Sequence, residues 1–309
     1  MIKNADELID VVVSHKSYGT GVVTRVTSEN IYVGFDGRIR IFPYPDAFEK
    51  EYLVIAEPDI EISRAEPETE NRPDKTRKMS ASAGMERLMD EYCSAFPSRW
   101  DNQRYLWKCV HTFQDKWNPD ASDLSGMIER ATADADHLMN ASLYYPREQI
   151  VGLAAKDPRE VRSMFEDLFD EGRDLVERSS TFSERVNLLL EGMKGKAFSR
   201  NHHKTMNAVS TYLWLKYPDK YYFFKDAVGR EVSKVTGFEF DKRGATTADN
   251  MVSHFALFDR VSGVLRQDDR FRRLLDERLD GTLYADEQLH CMAIDFAFFI
   301  RPLYANRKT

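Results

Sequence analysis

The sequence predicts an α+β multidomain chain, a small β-barrel followed by a mainly α-helical domain. Three observations carry this. Residues 1–62 hold short runs in which apolar and polar side chains alternate, residues 63–84 are polar and small, and from Met85 onward apolar residues recur at spacings of three and four. Alternation with period two marks a half-buried strand, and spacings of three and four mark one face of a helix.

In the first part, Val22–Val26, Asn30–Phe35 and Arg38–Phe42 read as strands. Ile31, Val33 and Phe35 share one face of the second, and Ile39 and Ile41 share one face of the third, as half-buried strands require. Asp36-Gly37 between them is a two-residue hairpin signal, and Gly19-Thr20-Gly21 places a turn before the first strand. Several short strands within about sixty residues suggest an SH3-like barrel.

Residues 63–84 read as a flexible linker. Glu66 to Lys75 contains no large apolar residue and mixes charge with Pro67 and Pro73, so it has nothing to bury. Limited trypsin digestion is expected to cut first between Arg72 and Lys78, releasing a barrel and a stable helical domain. First cuts inside residues 100–300 would overturn the two-domain division.

Residues 85–309 read as the helical domain. Asp157-Pro158-Arg159-Glu160 supplies an N-cap, a first-turn proline and a capping-box glutamate before Val161, Met164, Phe165 and Leu168. Thr181 with Glu184, Pro119 with Asp120, and Thr247 are read as further helix starts. Tyr217 to Lys225 interrupts the pattern and reads as a turn followed by a short aromatic strand or tight loop.

Composition narrows the function classes. At 309 residues and 42% apolar content the chain has enough for two cores, which excludes wholesale disorder. Cys93, Cys109 and Cys291 form no C-x-x-C pair, so neither a disulfide framework nor a structural zinc site is expected, and a reducing, cytoplasmic setting fits. No apolar run approaches 18 residues and Met1 to Asp10 is acidic and mixed, so no membrane span or signal peptide is expected.

Catalytic signatures fail one by one. Gly192-Met193-Lys194-Gly195-Lys196-Ala197 has its glycines too close for a P-loop and an alanine where the Mg²⁺-binding hydroxyl belongs. Pro218-Asp219 could begin a nuclease motif, but no lysine has Asp or Glu two positions before it. His202-His203 are adjacent and would point about 100° apart on a helix, and neither H-E-x-x-H nor G-x-S-x-G occurs. The chain is therefore read as a non-enzyme with no cofactor and no metal.

Binding chemistry concentrates in one window. Between Lys194 and Arg243 eleven Lys and Arg face five acids, a net +6 within a chain of −7. Cations that neutralise phosphates, interleaved with aromatic faces that stack on bases, suit nucleic acid. The candidate DNA-binding residues are Lys194, Lys196, Arg200, His203, Lys204, Lys216, Lys220, Tyr221, Tyr222 and Lys225. If Tyr221 and Tyr222 lie on a strand, one packs inward and the other stays available to a base. On the barrel, Tyr18, Tyr32, Phe42 and Tyr44 are candidates for a ligand or partner face. Six basic and eleven acidic residues make that region −5, which favours a protein contact there.

Two stretches carry a resemblance. Trp107 to Trp117, leading into Asp157 to Glu171, and Ser210-Thr211-Tyr212-Leu213-Trp214-Leu215-Lys216-Tyr217-Pro218-Asp219-Lys220-Tyr221-Tyr222 resemble the region before the AAA+ motor of bacterial McrB-like proteins, motor subunits of modification-dependent (type IV) restriction systems. The similarity covers about Trp100 to Tyr304, with Tyr-Pro-Asp-Lys-Tyr-Tyr its most specific part. The family's P-loop motor is absent from these residues, so the resemblance implies an N-terminal region of a longer AAA+ protein or a stand-alone relative. It also implies recognition of duplex DNA, often with modified cytosine, by flipping the base into an aromatic-lined pocket, with an AAA+ motor domain or subunit and a partner nuclease doing the cutting. The expected function is a non-catalytic DNA-recognition region of such a restriction or phage-defence system. The alternative is a protein-interaction module that docks a nuclease partner or senses a phage component, which the acidic overall charge favours.

Overall fold

The computed structural model describes residues 12–26, 30–35, 38–50, 52–55, 81–139, 144–240 and 246–305, in two units that divide between residues 76 and 77. The first unit is β1 (Val12–His15), β2 (Gly19–Val26), β3 (Asn30–Phe35), β4 (Arg38–Pro43), the single turn α1 (Asp46–Glu49) and β5 (Val54–Ile55). These strands make one antiparallel sheet in the order β4-β3-β2-β1-β5, so β4 and β5 are its edges. Val13, Val23, Ile31, Val33, Phe35, Ala47 and Leu53 form its core. The expected hairpin turn at Asp36-Gly37 lies outside the described residues.

The register corrects one expectation. Ile31 pairs with Phe42, Val33 with Arg40 and Phe35 with Arg38, while Ile39 and Ile41 pair with Gly34 and Tyr32. Opposed residues share a face, so Phe42 lies on the core side and Ile39 and Ile41 on the outer side. They are 42% and 59% exposed.

The expected linker falls largely outside the described residues. Its last four positions, Ala81 to Gly84, begin α2 (Ala81–Gln103), where two alanines favour helix. After α2 come α3 (Tyr105–Lys116), α4 (Leu124–Ala131), α5 (Asp136–Met139), α6 (Pro146–Lys156), α7 (Pro158–Phe169), α8 (Leu175–Leu189) and α9 (Asn207–Lys216). Then follow α10 (Asp226–Thr236), α11 (Thr247–Leu265), α12 (Asp269–Asp276) and α13 (His290–Ala305). The chain is thus mostly helical with a small antiparallel sheet. No described helix is long and apolar enough to cross a membrane.

Side-chain caps set several of the helix starts. The Asp157 carboxylate accepts the Glu160 N–H at 3.0 Å, as the sequence predicts for α7. Elsewhere Asp side chains nearby displace the expected starts: Asp123 caps α4, Asp174 caps α8, so that Thr181 lies inside that helix, and Thr246 with Asp249 forms the capping box of α11.

At the centre is α9, whose residues Ala208 to Leu215 are all buried, Trp214 among them. A helix covered on every side has neighbours on every side. Buried polar groups tie distant elements to this core. Asp295 on α13 accepts from the Tyr92 hydroxyl on α2 at 2.7 Å and from Arg99. Asp286, just before α13, accepts from Trp107 Nε1 and the backbone N–H groups of Cys291 and Met292.

The segment after Pro218 is a turn followed by irregular chain, which forms no strand. Tyr221, Tyr222, Phe223 and Phe224 are 4%, 0%, 5% and 3% exposed. Alternation would require protein on one side and water on the other, and here helices wall both sides. Tyr221 donates to Glu171 before α8, and Tyr222 packs on Phe258 of α11 and His290 of α13. The Phe224 backbone is held by Asn207 and Ser210 of α9. The expected pair of one inward and one available tyrosine is therefore corrected: both are core.

Candidate nucleic-acid interface

The connection from α8 to α9 carries Lys194, Lys196, Arg200 and Lys204, and all four side chains are exposed. From Gly192 to Pro218 the sequence contains no carboxylate, so nothing within that run opposes their charge. Gly195 has φ +118°, a conformation that side-chain-bearing residues rarely adopt, and it starts the short 3₁₀ turn Lys196–Phe198.

That connection is held from beneath by α6. Gln149 is fully buried, and its Nε2 donates to the carbonyls of Ala197 (2.5 Å) and Arg200 (2.8 Å). Its Oε1 accepts from the His202 backbone N–H at 3.1 Å and lies 3.0 Å from His203 Nδ1. Two carbonyls on one side fix the amide orientation, so Nδ1 of His203 must carry the proton and donate. Nε2 of His203 then accepts from the Tyr212 hydroxyl, 3.0 Å away on α9. Gly152 completes the seat, because a Cβ there would lie 2.4 Å from the Phe198 ring.

Burial, and then the neighbouring His202, push His203 down to about 3. Burial, and then Arg200, push His202 down to about 4. The His202 ring meets those of Tyr144 and Tyr145 edge-on. Both imidazoles are neutral at physiological pH. His203, expected on the DNA side, is instead a fully buried strut. A glutamine is ordinary helix composition, so no local signal singles out Gln149; its role exists only because α6 packs under a loop some fifty positions later.

Lys156, outside the charged window, joins the same surface. It is exposed, and its Nζ donates to the carbonyls of Leu189 (3.1 Å) and Glu191 (2.9 Å) at the end of α8. A cation suits the negative end of a helix dipole.

The remaining candidates lie elsewhere. Lys216 sits at the far end of α9, whose 10 residues span about 15 Å, with its Nζ 5.9 Å from the Phe169 and Tyr217 ring centres. It borders an apolar cleft of about 160 Å³ walled by Trp117, Phe165, Phe169 and Leu124. Lys220 is ion-paired with Glu171, which also accepts from Tyr221 and Arg178. Burial pushes the Glu171 carboxyl up, but those three hydrogen bonds outweigh it and hold it below the usual range. Lys225 is exposed at the N-cap of α10.

On the small sheet, Tyr18 and Phe42 come together with two rings outside the expected set, His15 and Phe35. His15 stacks on Tyr18 at 4.4 Å and lies 5.2 Å from Phe42, and the Arg40 guanidinium sits 3.9 Å over Tyr18. Tyr32 is on the opposite face, and Tyr44 packs edge-on against Phe48 beside the core. The four expected aromatics therefore do not form one face.

Among the described residues, no group of three or more His, Cys, Asp or Glu side chains is placed to hold a metal ion. No family model, no curated protein and no solved structure matches the chain.

Proposed function

We propose that the chain is a non-catalytic DNA-recognition protein of a McrB-like modification-dependent restriction or phage-defence system, with the 190–206 connection as its duplex-binding element. The observation that supports this is the clamped loop, free of carboxylates from Gly192 onward, that carries Lys194, Lys196, Arg200 and Lys204 outward, with Lys156 beside it. A loop fixed before contact loses little conformational freedom on binding, and its cations gain from counterion release. In this reading the cleft bordered by Lys216 is the aromatic-lined space an extruded modified cytosine requires, the small sheet is an SH3-like barrel, and an AAA+ motor and a nuclease are the partners. The competing reading, a protein-interaction module, draws on the net charge of −7.

The test is a gel shift with methylated, hydroxymethylated and plain duplexes at two salt concentrations. Replacing Lys194, Lys196, Arg200 and Lys204 by Ala is expected to weaken binding and to reduce the salt slope by about 0.9 for each phosphate that is no longer neutralised. Absence of affinity for every duplex at low salt would replace the DNA reading by the protein-interaction one.

A further inference from the structure

Among the described residues, the exposed large hydrophobics are concentrated in the small unit: Ile39, Ile41 and Val54 on its sheet and Tyr18 and Tyr52 beside it, against only Leu188 and Val252 in the helical unit. Ile39 and Ile41 stand on β4, an edge strand with no neighbour beyond it in the described sheet. Isolated exposed apolar residues are ordinary, but two on one unpaired edge are a template for another strand.

The backbone agrees with the side chains. Phe35 and Arg38 are the pair closing a two-residue connection, and pairs alternate between hydrogen-bonded and non-bonded along an antiparallel ladder. The backbone groups of Arg38, Arg40 and Phe42 therefore turn toward β3, and those of Ile39 and Ile41 turn outward. Pro43 has no N–H, so it ends the free edge at that side.

Charge chooses the occupant. Arg40 is exposed, is held in place by stacking on Tyr18, and has no ion pair among the described residues. Arg38 precedes it by two positions on the same register face. A second copy of this chain paired antiparallel about residue 40 would set Arg40 against Arg40, and like charges directly opposite destabilise a pair. Acidic side chains opposite the arginines and apolar ones opposite the isoleucines satisfy both faces at once. We propose that the free edge of β4 is a docking site for an extended peptide segment that alternates apolar and acidic residues and adds to the sheet as a further strand.

The probe is a fluorescein-labelled Val-Asp-Val-Glu-Val-Asp-Val peptide, titrated into the full chain and followed by anisotropy. Saturable binding is expected. It should weaken at least tenfold when the acids are replaced by lysine, or when alternate peptide amides are N-methylated. Ile41→Pro removes an outward N–H without touching the pairing to β3, and is expected to cost at least tenfold in affinity with the far-UV circular dichroism unchanged. The double variant Ile39→Thr, Ile41→Thr keeps β-branched residues and is expected to weaken binding because it presents less apolar surface. Should Ile41→Pro unfold the sheet, the threonine pair and the N-methylated peptide decide. Equal affinity for the acidic and lysine peptides, or no binding of the acidic one, overturns the proposal. So does a concentration-dependent dimer of the chain that the threonine pair dissolves, since a second copy then covers the edge.

Discussion

Lowering the pH from 7 to 5 is expected to destabilise the helical unit. Burial pushes His203 and His254 each down to about 3, and His202 down to about 4. In the unfolded chain each imidazole takes up a proton near pH 6.5. Between about pH 6.5 and 3 the unfolded state thus binds more protons than the folded one. The histidine contribution is complete above pH 6.5 and falls away progressively toward acid. For His203 and His254 the loss is about 2 kcal/mol each at pH 5, with His202 and the partly shifted His290 adding in the same direction. Two carboxyls act oppositely. Burial pushes Asp286 up to about 7 and raises Asp295 as well, so their contribution favours the folded state toward acid and is lost as the pH rises from the ordinary carboxylate range through about 7. Asp286 returns about 2 kcal/mol over this interval, offsetting one histidine, so the net loss is about 3 kcal/mol against the 5–15 kcal/mol typical of a domain.

Urea unfolding followed by tryptophan fluorescence at pH 7, 6 and 5 measures this directly. His254→Leu separates the titration from general weakening. His254 Nε2 lies 3.1 Å from the Phe223 carbonyl, so the variant is expected to be less stable at pH 7. Its stability should nevertheless fall less steeply between pH 6 and 5, by about one proton. A midpoint constant from pH 7 to 5 would refute the argument.

Gln149→Leu is expected to have the second large effect. It deletes hydrogen bonds to two carbonyls, a backbone N–H and the His203 ring, at a site with no exposed surface. Each buried polar group left without a partner costs about 1–3 kcal/mol. Allowing that the carbonyls near the surface reach water, the total is about 4 kcal/mol, or a melting temperature lower by about 10 °C for a unit of this size. The same change should free the 190–206 connection, so trypsin is expected to cut at Lys194, Lys196 and Arg200 before the rest unfolds. DNA affinity, if carried by that loop, should fall about tenfold with all four cations still present, because their fixed placement is gone. A variant with wild-type melting and wild-type protease resistance would show that the clamp does not hold the loop.

Features that depend on neighbours along the chain were readable in the amino-acid sequence. Residues Ile31, Val33 and Phe35 alternate within one strand, and Asp157 reaches an N–H three residues away, so both were legible. The carboxylate-free run from Gly192 to Pro218 is a property of composition and needed no structure to be seen. Features set by partners far along the chain waited for the tertiary fold. In β4, arginine and isoleucine alternate equally well in either phase, and pairing of Phe42 with Ile31 selected the phase that exposes the isoleucines. Tyr221 and Tyr222 became core because helices close on the segment from both sides, where alternation assumes one wet face. His203 reads in sequence as one more basic group of a positive window. Only the approach of Gln149 from α6 and Tyr212 from α9, filling both ring nitrogens at a fully buried site, makes it a neutral strut beneath the charges instead of one of them.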